Sequence, residues 1–209
     1  ATLNEDSYQR IAASGGTVSV ATESEQTCGQ GYPPTWTLRS YDIPVALSMD
    51  TSVWWSGDLF SAMRTTLGAD RSREHLEAHV KGDTVTALSL RAEHVVDWAT
   101  RGGAHALGRH DLGSLEPGKK ADVVLIKNDD SPVSFPLLNA YGHVAFQAQR
   151  GDVHTVLVNG RVVKHENRLV GADLAAVRGA VEATVGYLRS ELGEEAWAAG
   201  MNPDLPGTE

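Results

Sequence analysis

Ile43-Pro-Val-Ala-Leu-Ser-Met-Asp50 is an apolar run of strand length that stops at a carboxylate, and the loop beyond it carries Trp54 and Trp55. A carboxylate at a strand end either works as an acid–base or ligating group or caps the turn that follows. Two more carboxylates, Glu23 and Glu25, follow the preceding strand and so face the same rim. Together they can grip an amine, a ring N–H or a cationic substrate; the alternative is a solvated acidic loop. Glu25 is the preferred member of the pair. The two tryptophans wall a ring-shaped substrate, plug the gap between loops, or face a partner subunit.

Other residues with chemical potential are read as structural. His75 and His79 stand four apart in His-Leu-Glu-Ala-His, on one face of a helix, but the Glu is out of position for a His-Glu-x-x-His zinc motif. A solvated face in a polar connector is expected. Cys28 has no second cysteine and reads as buried filler rather than a nucleophile. Gly113-x-x-x-x-Gly118-Lys119 lacks the Ser or Thr that a phosphate-binding loop needs after its Lys, and a strand rather than a helix follows it.

Around these residues the elements alternate. Asn4 or Asp6 can cap a first helix to about Ala13, closed by Gly15-Gly16. Thr17–Ala21 is β-branched and reads as a strand, Thr22–Pro33 as a loop, and Pro34–Tyr41 as a short helix. The strand ending at Asp50 comes next, then a helix opened by Ser56-Gly57-Asp58 and running to about Leu67. Two strand–helix units at this spacing imply parallel strands, with chemistry at their carboxyl ends. A full eight-unit barrel takes about 250 residues, so residues 1–70 supply roughly a quarter of one.

Gly68–Asp83 reads as a charged connector, and helical pattern resumes at about Ser89 with Val95, Val96, Trp98 and Ala99 on the buried side, continuing to Leu107. Strands are expected at Asp122–Ile126, at the alternating Val144–Gln149, and in a hairpin Val153–Val163 turning at Asn159-Gly160. A last helix spans about Ala172–Leu192, and a loose tail follows.

The totals narrow the class. With 209 residues, 41% hydrophobic, the chain suits a soluble globular protein. No apolar run approaches the roughly 18 residues of a membrane span. A net charge of −9 argues against nucleic acid or anionic membrane as partners. One cysteine fits a reducing compartment, and the cytoplasm is expected. The start, Ala-Thr-Leu-Asn-Glu-Asp without Met, reads as a cut through something longer or as a trimmed natural start.

Gly108–Ile126 resembles the segment that joins barrel to β-sandwich in the amidohydrolase superfamily, and Thr155-Val-Leu-Val-Asn-Gly-Arg-Val-Val resembles that sandwich's closing hairpin. Ala46-Leu-Ser-Met-Asp50 matches the last barrel strand. The loop Glu23–Pro34 and the run Ser56–Arg64 are similar to the cytosine deaminase-like, chlorotriazine hydrolase-like and S-adenosylhomocysteine deaminase-like branch.

This resemblance implies an α/β fold: the carboxyl-terminal part of a (β/α)8 TIM barrel plus part of a small β-sandwich and a C-terminal helix. The boundaries would be 1–110 for the last strand–helix units, 111–168 for the sandwich strands, 169–195 for the helix and 196–209 for the tail. It implies Asp50 as metal ligand and proton shuttle, with a divalent metal, zinc first and iron or manganese as alternatives. The histidine ligands of such enzymes lie on earlier strands, so the missing amino-terminal half becomes a partner. The remaining implied partners are a small-molecule nitrogen heterocycle and further copies of the same chain in a homo-oligomer. A non-catalytic fragment or subunit is the competing expectation.

Overall fold

The computed structural model describes residues 3–51 and 54–201. The chain divides into two compact units, Ala1–Arg168 and Leu169–Glu209.

In the first unit, α1 (Glu5–Ser14) is capped by Asn4, whose side chain accepts from Ser7 N–H, and is ended by Gly15 in the left-handed region. Strand β1 (Val18–Val20) follows, then α2 (Thr22–Thr27), α3 (Thr35–Ser40) and β2 (Val45–Leu47). β1 and β2 pair in parallel, Val18 opposite Val45 and Val20 opposite Leu47. All three residues of β2 are buried, as a parallel strand covered on both faces requires. Around them lie Tyr8, Leu38, Ile43, Met63, Leu67, Leu90, Val95 and Trp98, which form one apolar cluster. Leu38, Leu67 and Leu90 are fully buried, each removing side-chain surface from water at about 1.5–3 kcal/mol.

Helix α2 occupies part of the segment expected as loop. Cys28, at its C-cap, is exposed rather than buried. Helix α4 runs from Leu59 to Lys81, fourteen residues beyond the expected end at Leu67, and stops at Gly82 in the left-handed region. Nothing from Ala69 to Lys81 breaks a helix, and its polar residues are used. Asp70, fully buried, accepts from the Thr35 hydroxyl and pairs with Arg39 at 3.2 Å, while the Arg71 guanidinium donates to Leu90 O. His75 and His79 lie exposed on this extension.

Helix α5 (Ala92–Asp97) starts three residues later than expected and passes into a π-helical turn, Trp98–Gly102, then α6 (Gly103–Ala106). Gly102 is required there: a Cβ would stand 2.2 Å from Val45 O. The alternating segment expected as a strand at Val144–Gln149 is instead helical through Gln147, and only Ala148 and Gln149 are extended. Asn139 caps α7 (Ala140–Gly142), a π-helical turn follows over His143–Gln147, and His143 Nδ1 lies 3.1 Å from Gln147 Oε1, four residues on. The local Asn cap and the buried Ala145 outweigh the period-two pattern.

The antiparallel sheet holds β3 (Val123–Ile126), β4 (Val153–Val158) and β5 (Arg161–His165) in that order. Asn159 (φ 50) and Gly160 (φ 78) make the hairpin turn. An open, mostly apolar groove of about 560 Å³ runs between α6 and this sheet, past Leu107, Leu112, Leu115, Val124 and Val156. Its walls are wet: Leu107 is 76% exposed and Leu115 71%.

In the second unit α8 (Leu174–Met201), capped by Asp173, is two helical segments in succession, divided at Gly193 (φ 77, ψ 161). It begins near the expected start and carries helical structure past Leu192. Among the described residues no helix is long and apolar enough to cross a membrane.

Candidate functional site

Parallel pairing puts the residues after Val20 and those after Leu47 at the same edge of the two strands. That edge is where Glu23, Ser24, Glu25 and Asp50 meet. Asp50 is exposed and sits at φ 57, a left-handed conformation that Asp tolerates better than most L residues. Its Oδ2 accepts from the Ser24 hydroxyl at 2.7 Å, and among the described residues its Oδ1 meets only the Thr51 hydroxyl, at 3.4 Å.

The two glutamates behave differently. Glu23 is engaged at both oxygens: Ser56 N–H donates to Oε1 at 3.0 Å and the Ser56 hydroxyl to Oε2 at 2.6 Å. It therefore clasps the loop that follows Asp50 to the start of α2. Glu25 reaches back along α2, accepting Ala21 N–H at Oε1 (3.3 Å). Its Oε2 is buried and without a hydrogen-bond partner, which is costly unless a ligand or another chain segment supplies a donor.

Trp54 and Trp55 pack edge to face, ring centres 6.5 Å apart. Trp54 is 77% exposed; Trp55 is half-buried with its indole N–H unpartnered. Residues 52 and 53, between these tryptophans and Thr51, lie outside the described residues.

Helix α2 is tied down along its length, because Thr22 and Thr66 hydroxyls meet at 2.8 Å beneath it. Ser24 and Ser56 are the contributors that residue-type reasoning passed over. Both are small hydroxyls inside segments already marked by their acidic or aromatic neighbours, and only their partners reveal them.

The donor set admits a cation in part. Asp50 Oδ1 is a hard oxygen with no strong partner, suited to a divalent ion. It is one ligand: the described residues hold no group of three or more His, Cys, Asp or Glu able to bind a metal, and a catalytic zinc takes three protein ligands.

The model of the Amidohydrolase family matches residues 2–163. A 5-methylthioadenosine/S-adenosylhomocysteine deaminase of Desulfitobacterium hafniense is 34% identical over 181 residues, 86% of this chain and 39% of that protein. An 8-oxoguanine deaminase of Pseudomonas aeruginosa is 30% identical over 185 residues, 84% of this chain and 36% of that protein. The chain thus spans somewhat under two fifths of these relatives. Among solved structures, an adenosine deaminase from Xanthomonas campestris with bound zinc superposes with a TM-score of 0.74 at 28% identity, covering 90% of this chain and 41% of that one. An atrazine chlorohydrolase from Arthrobacter aurescens complexed with zinc gives the same score at 23% identity, over 88% of this chain and 39% of that one, a likeness of fold.

Proposed function

Because the chain belongs to the amidohydrolase family, we propose that it is the carboxyl-terminal portion of a metal-dependent enzyme that hydrolyses a C–N or similar bond of a nitrogen heterocycle. In this reading β1 and β2 are the last two strands of a (β/α)8 barrel and β3–β5 are part of a β-sandwich. The observation that carries the proposal is the placement of Asp50. It is an exposed carboxylate at the shared strand edge, held at one oxygen and, among the described residues, met at the other only by Thr51 at 3.4 Å.

A bound divalent metal, zinc by likeness to the zinc-bearing neighbours, would supply a water acidic enough to ionise near neutral pH. Asp50 would ligate through Oδ1, accept the proton of the attacking water, and return it to the leaving nitrogen. Glu25 Oε2, buried and unpartnered, would accept from an N–H of the ring or its amino group. Trp54 and Trp55 would stack beside the ring, and Glu23 would serve by holding their loop through Ser56. The substrate class is an amino-substituted purine or triazine. The relatives' named substrates, 5-methylthioadenosine, S-adenosylhomocysteine and 8-oxoguanine, support the purine member of that class.

The histidine ligands would come from the remainder of the enzyme, which would also cover the apolar groove between α6 and the sheet. A cytoplasmic homo-oligomer is the expected form. The second reading, a chain that structures and binds without turnover, is favoured by the lack of a three-ligand group among the described residues.

The test is zinc content and ammonia release by the complete protein with aminopurines and aminotriazines. About one tightly held zinc per chain, lost together with turnover in Asp50→Ala, is expected. Full zinc and full turnover in that variant would defeat the proposal.

A further inference from the structure

Ser24 stands at the third residue of α2, 5% exposed. A serine this early in a helix ordinarily bonds back to its own N-terminus. Here that role is filled: Ala21 N–H is taken by Glu25 Oε1, and the Ser24 hydroxyl reaches instead across 26 positions of sequence to Asp50 Oδ2. The helix that carries it cannot drift. Thr22 binds Thr66 at 2.8 Å, and Glu23 binds Ser56 twice. A buried hydroxyl on a fixed helix therefore grips one oxygen of an exposed carboxylate whose other oxygen has, among the described residues, only a 3.4 Å neighbour.

We propose that Ser24 is a positioning residue: by donating to Asp50 Oδ2 it sets the carboxylate plane so that Oδ1 is the atom presented to the metal. Residues that orient ligands in this way typically account for about 10–100-fold in metal affinity or activity. The inference rests on the reading of Asp50 as a ligand.

The experiment compares zinc affinity, by chelator competition, in the complete protein and in Ser24→Ala, Asp50→Ala and the double variant. Thermal midpoints and steady-state kinetics are recorded alongside. Ser24→Ala is expected to weaken zinc binding about 10–100-fold and to lower kcat with KM unchanged, Ser24→Thr to restore both, and Ser24→Ala to add nothing once Asp50 is alanine. Ser24→Cys, which keeps the volume and loses the strong donor, makes the same comparison should the alanine variant fail to fold. Zinc affinity within twofold of the parent in Ser24→Ala overturns the inference. So does an equal loss in both backgrounds, which is the behaviour of a merely structural serine. If Asp50→Ala itself leaves zinc affinity unchanged, the ligand reading fails first and takes this inference with it.

Discussion

Gly102 and Gly103 are adjacent, both helical in backbone angle (φ −58 and −61), yet alanine should act on them in opposite directions. A Cβ at Gly102 would lie 2.2 Å from Val45 O, 3.3 Å from Val45 C and 3.5 Å from Ala46 Cα. An unstrained carbon–oxygen approach is about 3.3 Å, so the overlap is roughly 1 Å. The obstacle is backbone of the fully buried strand β2, not a side chain that can rotate away. Overpacking of this kind costs about 1–3 kcal/mol, and rigid backbone places it at the upper end. The gain in helix propensity returns about 1 kcal/mol, leaving Gly102→Ala destabilised by about 2 kcal/mol. A Cβ at Gly103 meets nothing within 4 Å, so Gly103→Ala should gain about 0.5–1 kcal/mol. The two variants should thus differ by about 3 kcal/mol in urea unfolding followed through Trp98, which is buried in the same turn. β2 also leads directly to Asp50, and a displacement near 1 Å at a reacting group can cost about 100-fold in rate; turnover of the complete enzyme should fall in Gly102→Ala only. Equal stability in the two variants would refute the packing argument.

Asp70→Ala should cost about 3 kcal/mol by chemical denaturation, because it removes the short hydrogen-bond partner of the buried Thr35 hydroxyl and leaves the Arg39 guanidinium with only Ser89 among the described residues; Asp70→Asn should cost less. Asp111 is held far below the usual carboxylate range, first by its hydrogen bond from Arg109. A depressed folded-state pKa contributes stability above the unfolded value of about 4 that is lost as pH falls toward the folded one. The stability gap between parent and Asp111→Asn should be constant from neutral pH to about 5 and close below about 4, as read from urea midpoints across pH. Asn159→Ala should lose about 1 kcal/mol, since Asn159 sits at φ 50, while Asn159→Gly should be close to neutral in the same melts.

Sequence reasoning reached what short-range chemistry dictates. The Asn4 cap, the Gly15 stop and the Asn159-Gly160 turn each follow from a residue whose backbone preference is strong and local. The strand before Asp50 was legible because an all-apolar run of that length has few alternatives. What escaped depends on partners distant in the chain. The polar half of α4 looks like a connector until Asp70 is seen against Arg39 and Thr35, more than thirty positions away. Val144–Gln149 alternates like a strand, but Asn139 and the His143–Gln147 contact hold it helical. In the candidate site, residue type and position marked Asp50, Glu23 and Glu25 alike. Only coordinates separate a carboxylate occupied at both oxygens, as Glu23 is, from one left with a buried orphan atom, as Glu25 is. Ser24 carried no signal of its own.

Strands β1 and β2 pair only with each other among the described residues. A two-member parallel ribbon has two borders, and they differ here: β2 is buried, with Val45 O against Gly102, whereas Ser19 of β1 is exposed. The row of amide and carbonyl groups along an open border solicits any extended peptide that arrives. Copies of this polypeptide by itself are therefore expected to associate along the β1 border as concentration rises.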